Sequence, residues 1–131
     1  MVSYSRSTDV LGHVIERVSG QSLDAFLQQR ILGPLGMKDT AFYVEPAKHS
    51  RIAEPFPKDP DTGAAQNLLR VRENPKYLSG GGGMVSTAAD YVRFAQMLLN
   101  GGELGGVRIV SRKTVEYMTT DHLVGMRGAP A

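Results

Sequence analysis

Cysteine is absent from the 131 residues, which removes disulfides, zinc–thiolate sites and thiol catalysis together. That absence suits cytoplasm and periplasm alike. Net charge is also small, a formal +2, and the basic residues are scattered. Lys48, Arg51 and Lys58 share their region with Glu45, Glu54, Asp59 and Asp61. No basic block forms, so neither nucleic acid nor an anionic membrane surface is an expected partner. No apolar run approaches the ~20 residues of a membrane-spanning helix, and no signal-peptide pattern stands before Tyr4. The balance of 41% hydrophobic and 21% charged residues reads as a globular chain. At this length a domain buries roughly two-thirds of the surface its unfolded chain exposes. Repeats, linkers and low-complexity segments are missing as well, so residues 1–131 read as one unit.

The residues present have a clear helical grammar. Asp9 to Ser19 predicts a first helix, with Ser7 or Thr8 placed to accept from the free first-turn amides and Asp9 suited to the positive end of the dipole. Val10, Leu11, Val14, Ile15 and Val18 form its apolar stripe, and Gly20 ends it. Ser22 opens a second helix that buries Leu23, Phe26, Leu27 and Ile31 and stops at Gly33-Pro34, because proline lacks the amide needed to continue. Residues 38–44 and 51–56 are rich in strand formers. PKDPDTG, residues 57–63, is a surface turn by its Pro, Asp and Gly content, and residues 64–79 are expected to be irregular. Thr87 caps a third long helix, with Asp90 completing a capping box, and Phe94, Ala95, Leu98 and Leu99 are its core positions. Gly101-Gly102 close it. GVRIV (106–110) predicts a short strand, and Ser111 caps a last helix carrying Val115 and Met118.

Few of these residues assemble a recognisable reaction centre. The run Gly80 to Gly83 invites a phosphate-loop reading, but no Gly-Lys-Ser/Thr follows it and no third glycine of a dinucleotide fingerprint is present. It reads as backbone that passes close to something, or as the lining of a site. His13, His49 and His122 lack second ligands at helical or hairpin spacing, so no metal is expected. No Gly-x-Ser-x-Gly elbow exists to expose a nucleophilic serine. Lys113-Thr114 is followed by Val115 rather than glycine and lies in a helical pattern. Tyr4 is left, and a tyrosine is ordinarily a packing residue.

Three longer words change that balance. YSRSTDVLGHVIERVSGQSL, ILGPLGMKDTAFYV and GGGGMVSTAADYVRFAQMLLNGG, in this order, resemble the serine β-lactamase-like family. That family comprises class C β-lactamases, D-alanyl-D-alanine carboxypeptidases and family VIII carboxylesterases, and the resemblance covers nearly the whole chain. Tyr-Ser followed by Asp-Val-Leu-Gly is most similar to the esterase branch. The resemblance implies a mainly α chain with a few short β segments, the helical lobe of the α+β β-lactamase/transpeptidase-like fold. It also implies acyl transfer around three motifs: a Ser-x-x-Lys nucleophile, a Tyr-x-Asn proton relay and a Lys-Thr-Gly-like strand.

Only the second motif finds a match. Tyr4 falls on the catalytic tyrosine, Ser5 on the variable position, and Arg6 where asparagine often stands, a departure that weighs against lactam hydrolysis. Gly81, Gly82 and Gly83 fall on a segment that lines the active-site wall. No serine in the chain begins a Ser-x-x-Lys, and the beginning and end read as cut. The implied protein is therefore a fragment of a serine hydrolase acting on carboxylic esters, without metal or organic cofactor and inactive alone. A D,D-peptidase or β-lactamase fragment is the alternative within the family, and a non-catalytic ligand- or partner-binding module the alternative outside it. Free tyrosine titrates near 10, and lowering it to near 7 takes about 4 kcal/mol. The first-motif lysine would supply that, and without an activated serine there is no covalent step. Apolar faces on the first and third long helices are expected to stand exposed and to favour homo-oligomers.

Overall fold

The computed structural model describes residues 6–66 and 70–122. Within these the chain is mainly helical. Helix α1 spans Ser7–Ser19. Helix α2 (Leu23–Leu27) runs on through a π turn (Gln28–Leu32) into α3 (Gly33–Leu35). A 3-10 turn follows at Pro46–Arg51, then α4 (Ala88–Leu99), the antiparallel pair β1 (Glu103–Leu104) and β2 (Val107–Arg108), and α5 (Arg112–Thr119).

The second helix does not stop at Gly33-Pro34 as expected. Gly33 donates to the Gln28 carbonyl five residues back, and this wider turn shifts the hydrogen-bond ladder just ahead of Pro34, whose missing amide then interrupts little. The helix gains one more turn. It ends at Gly36, whose φ of 67° a side chain would resist. Met37 N–H reaches Leu32 O at 2.8 Å and Gly36 N–H reaches Gly33 O at 2.9 Å, the pair of bonds of a Schellman end. The core collects there. Leu32, Leu35, Met37 and Met97 are buried together, with Ile31, Phe94 and Leu98 packed around them. Leu23 and Phe42 are buried too, outside this cluster, whereas Phe26, Leu27 and Ile31 are only half-buried.

Helix α4 starts as its sequence requires, with Thr87 Oγ1 accepting from Asp90 N–H at 3.2 Å. Its inward residue is Met97; Ala95 and Leu99, expected in the core, face out, Leu99 at 81% exposure. The expected strands at 38–44 and 51–56 are missing. Ala41 makes a single bridge to Val85, and Ile52–Phe56 has no regular structure. A strand former with no neighbouring strand leaves its amides unpaired, so propensity alone cannot hold it. The 106–110 strand contracts to Val107–Arg108, turned back on β1 through Gly105-Gly106. In α5, Ser111 caps as expected by accepting from Thr114 N–H; Val115 is half-buried and Met118 exposed.

Candidate active site

Tyr4 and Ser5 lie outside the described residues. Their neighbour Arg6 is exposed and occupies the position just before α1, where its carbonyl accepts from Val10 N–H at 3.1 Å. The helix therefore begins two residues earlier than expected, and neither Ser7 nor Thr8 is its capping residue. No side chain caps this end. Ser22, by contrast, does stand before α2, but its hydroxyl makes no capping bond; Glu16 Oε1 from α1 accepts from Leu23 N–H instead, at 3.0 Å.

Asp9 is turned away from its own helix end. Ser79 Oγ–H donates to Asp9 Oδ1 at 2.5 Å, and Gly81 N–H donates to the same oxygen at 3.1 Å. The carboxyl is held below its ordinary value by the Ser79 hydroxyl first and the Gly81 amide second, with smaller help from the Arg6 charge and the Tyr77 hydroxyl. Donors that favour the ionised form have this effect. The glycine run thus lies on the first turns of α1.

Sterics fix that contact as firmly as the hydrogen bonds do. A Cβ on Gly80 would stand 2.2 Å from Thr8 O, and one on Gly12 would stand 3.2 Å from Gly80 Cα and 3.1 Å from Leu23 Cδ2. Two backbones meet here because neither residue has a side chain. A Cβ on Gly81 would meet Thr8 Oγ1 at 2.7 Å, whereas one on Gly82 meets nothing within 4 Å. Gly80 is thus structural. Gly82 is exposed and unencumbered, and Gly83 has a φ of 88°.

Farther along, a cavity of about 220 Å³ lies between α2 and the 40–43 segment, lined by Gln28, Leu32, Phe42, Asn74, Leu78 and Met84. Ligand clefts usually measure about 300–1,000 Å³, and this one is smaller. Among the described residues no three His, Asp or Glu side chains come together as a metal site.

The beta-lactamase family model matches residues 1–130. The chain belongs to the beta-lactamase family. Protein Rv1367c from Mycobacterium tuberculosis is 38% identical over 124 residues, covering 93% of this chain and 31% of that protein. Lovastatin esterase from Penicillium rubens is 34% identical over 130 residues, covering 92% of this chain and 30% of the esterase. Among solved structures, simvastatin synthase LovD from Aspergillus terreus (the LovD6 mutant) superposes with a TM-score of 0.79 at 25% identity, over 94% of this chain and 30% of LovD. The chain thus spans about a third of the length of these relatives, and its fold is the helical lobe of the β-lactamase/transpeptidase-like architecture.

Of the residues singled out from sequence, Gly81 is joined to the first turn of α1 through Asp9, whose carboxyl also feels the charge of Arg6. In the sequence pattern Asp9 shows only as a partner of the helix dipole. The signals that pointed to more were Gly12 in the middle of a helical pattern, a position where glycine is unfavourable without a packing reason, and Ser79 directly before the glycines.

Proposed function

We propose that this chain is part of a serine hydrolase that cleaves carboxylic esters through an acyl-enzyme, with Tyr4 as its general acid and base. On this reading a serine Oγ from outside the 131 residues attacks the ester carbonyl while Tyr4 takes its proton. The alcohol then leaves with that proton, and water hydrolyses the acyl-serine bond. Gly81, Gly82 and Gly83 form one wall of the site, with Ser5 and Arg6 beside Tyr4. The carrying observation is that the Tyr-Ser-Arg word leads straight into the helix on which the glycine run is seated. The likeness to lovastatin esterase supports the ester over the lactam, as does arginine in place of the asparagine of the second motif. No metal or organic cofactor enters this reaction.

Residues 1–131 would then be a partial domain, the second-motif segment with the helical lobe. No helix among the described residues is long and apolar enough to cross a membrane. The outward faces of α1 (Val10, Leu11, Val14, Val18) and α4 (Tyr91, Val92, Leu99) are exposed, and we propose that they pair copies of the isolated chain. The reading is tested by p-nitrophenol release from a short-chain p-nitrophenyl ester. The 131-residue chain, the complete protein that carries it, and Tyr4→Phe in that protein are compared. Turnover only by the complete protein, lost in Tyr4→Phe, supports it. Tyr4-dependent turnover by the short chain would place the nucleophile inside these residues, and Tyr4-independent turnover would remove Tyr4 from the chemistry.

A further inference from the structure

Asp9 is the third residue of a helix that begins at Ser7. An acidic side chain at this place ordinarily turns back to the free amides of its own first turn. Here it turns sideways, and the helix end is left without a side-chain cap. Both of its bonds, from Ser79 Oγ and Gly81 N, cross about seventy residues of sequence. Between those two donors sits Gly80, pressed against Thr8 O and Gly12 with no room for a methyl group. Three consecutive residues, 79 to 81, are thereby indexed on α1 in one register. A shift of one residue in one direction would drive the Ser79 Cβ into the helix backbone, and in the other would take the Ser79 hydroxyl away from Asp9. Tyr4 precedes that helix by three residues in sequence.

We propose that Asp9 is a positioning residue: its carboxylate holds residues 79–81, which lead into the glycine wall, in one register on α1. The proposal rests on the ester-hydrolase reading for its effect on rate, but the clamp itself does not. Asp9 touches neither substrate nor nucleophile; it acts through Ser79 and Gly81. The depressed proton affinity of its carboxyl accords with an ionised acceptor of both bonds. Displacing a positioned group by about 1 Å can cost 100-fold in rate even when the change lies away from the chemistry.

The test uses the complete protein that carries this chain, with Asp9→Ala, Asp9→Asn and Ser79→Ala. Sites are counted by the acylation burst with a p-nitrophenyl ester, so that kcat refers to folded, acylated enzyme. Asp9→Ala is expected to lower kcat per counted site by about 10- to 100-fold while KM moves less than about threefold. Asp9→Asn keeps an acceptor oxygen and should remain within about threefold of wild type. Ser79→Ala, which removes one donor alone, should fall between. Amide exchange supplies a second readout that needs no activity. In Asp9→Ala, exchange of residues 79–83 should quicken about tenfold or more while that of α4 stays as it was.

An unchanged kcat per counted site in Asp9→Ala, even with a lowered Tm, makes Asp9 a structural residue only and overturns the proposal. Unchanged exchange at 79–83 overturns the clamp. Should Asp9→Ala fail to fold, Ser79→Ala with wild-type kcat and exchange overturns it equally. If wild type itself lacks Tyr4-dependent ester turnover, the hydrolase reading falls and the positioning role with it, while the exchange result still decides the clamp.

Discussion

Single residues carry much of the information in the glycine run, because four identical letters turn out to have different duties. Gly80 is excluded from bearing a side chain by a carbonyl oxygen 2.2 Å from where its Cβ would stand. Gly82 has open space around it and an ordinary φ. Gly80→Ala should therefore destabilise the chain by about 1–3 kcal/mol, the range found for overpacked contacts. Gly82→Ala should stay within about 0.5 kcal/mol of wild type. Urea midpoints of the two variants provide the comparison, and equal losses would count against the docking of the run on α1. Asp90 shows the same divergence between a residue's local and tertiary duties. Its amide completes the N-terminal cap of α4, but the carboxylate that a capping box would turn back to Thr87 serves another segment. It is buried and accepts from Asp39 N–H at 2.7 Å and from Thr40 Oγ1 at 2.9 Å.

At the level of elements, this second duty of Asp90 organises the stretch between α3 and α4. Residues 38–45, ahead of the 3-10 turn, have little regular hydrogen bonding of their own, and polar side chains take its place. Thr40 and Ser86 share a hydroxyl bond of 2.8 Å. Asp39 meets Lys48 Nζ at 2.8 Å and Arg51 at 2.7 Å. The Arg51 and Lys48 donors hold the Asp39 carboxyl well below its ordinary value of 3.8. A carboxyl with a depressed folded-state value contributes stability that is complete above the unfolded value and is lost as pH falls through and below it. Stability should therefore decline on acidification below about pH 4. Asp9, Glu54 and Asp59 shift in the same direction and add to the slope. Asp39→Asn should flatten part of that decline and lower stability at pH 7, as followed by Tm between pH 7 and 2.5. An unaltered acid slope would show that this ion-paired corner does not contribute to folding.

For the molecule as a whole, the notable feature is where the apolar surface lies. The helix α1 presents Val10 and Val18 at 62% and 83% exposure, while its buried contact is made by Gly12. Its apolar stripe is therefore real but faces outward, and its glycine faces in. Large contiguous apolar faces commonly mark interaction surfaces, and the self-association proposed above rests on this one. The isolated chain is expected to gain mass with concentration in light scattering, towards a dimer, and Leu11→Ser with Val14→Ser should return it to the monomer. A monomer at high concentration would remove the self-association proposal.

The helices were legible because their determinants are local: apolar spacing, Thr87 and Ser111 at the caps, Gly20 and Gly101 at the ends. The family was legible for a related reason, since its words are contiguous in sequence. Strand positions at 38–44 and 51–56 were misjudged, because a strand needs a partner that no local pattern supplies. The length of the second helix was misjudged because a single widened turn lets Pro34 be accommodated. The seat of the glycine run was beyond local reading altogether. Asp9 and Gly81 are bonded across seventy-two positions, and that pairing exists only once α1 and the run have packed. The sequence alone determined which segments are helical and which family they spell. Tertiary packing decided which face of α1 is buried and what Asp9 holds, because burial and hydrogen-bond partners are properties of neighbours in space.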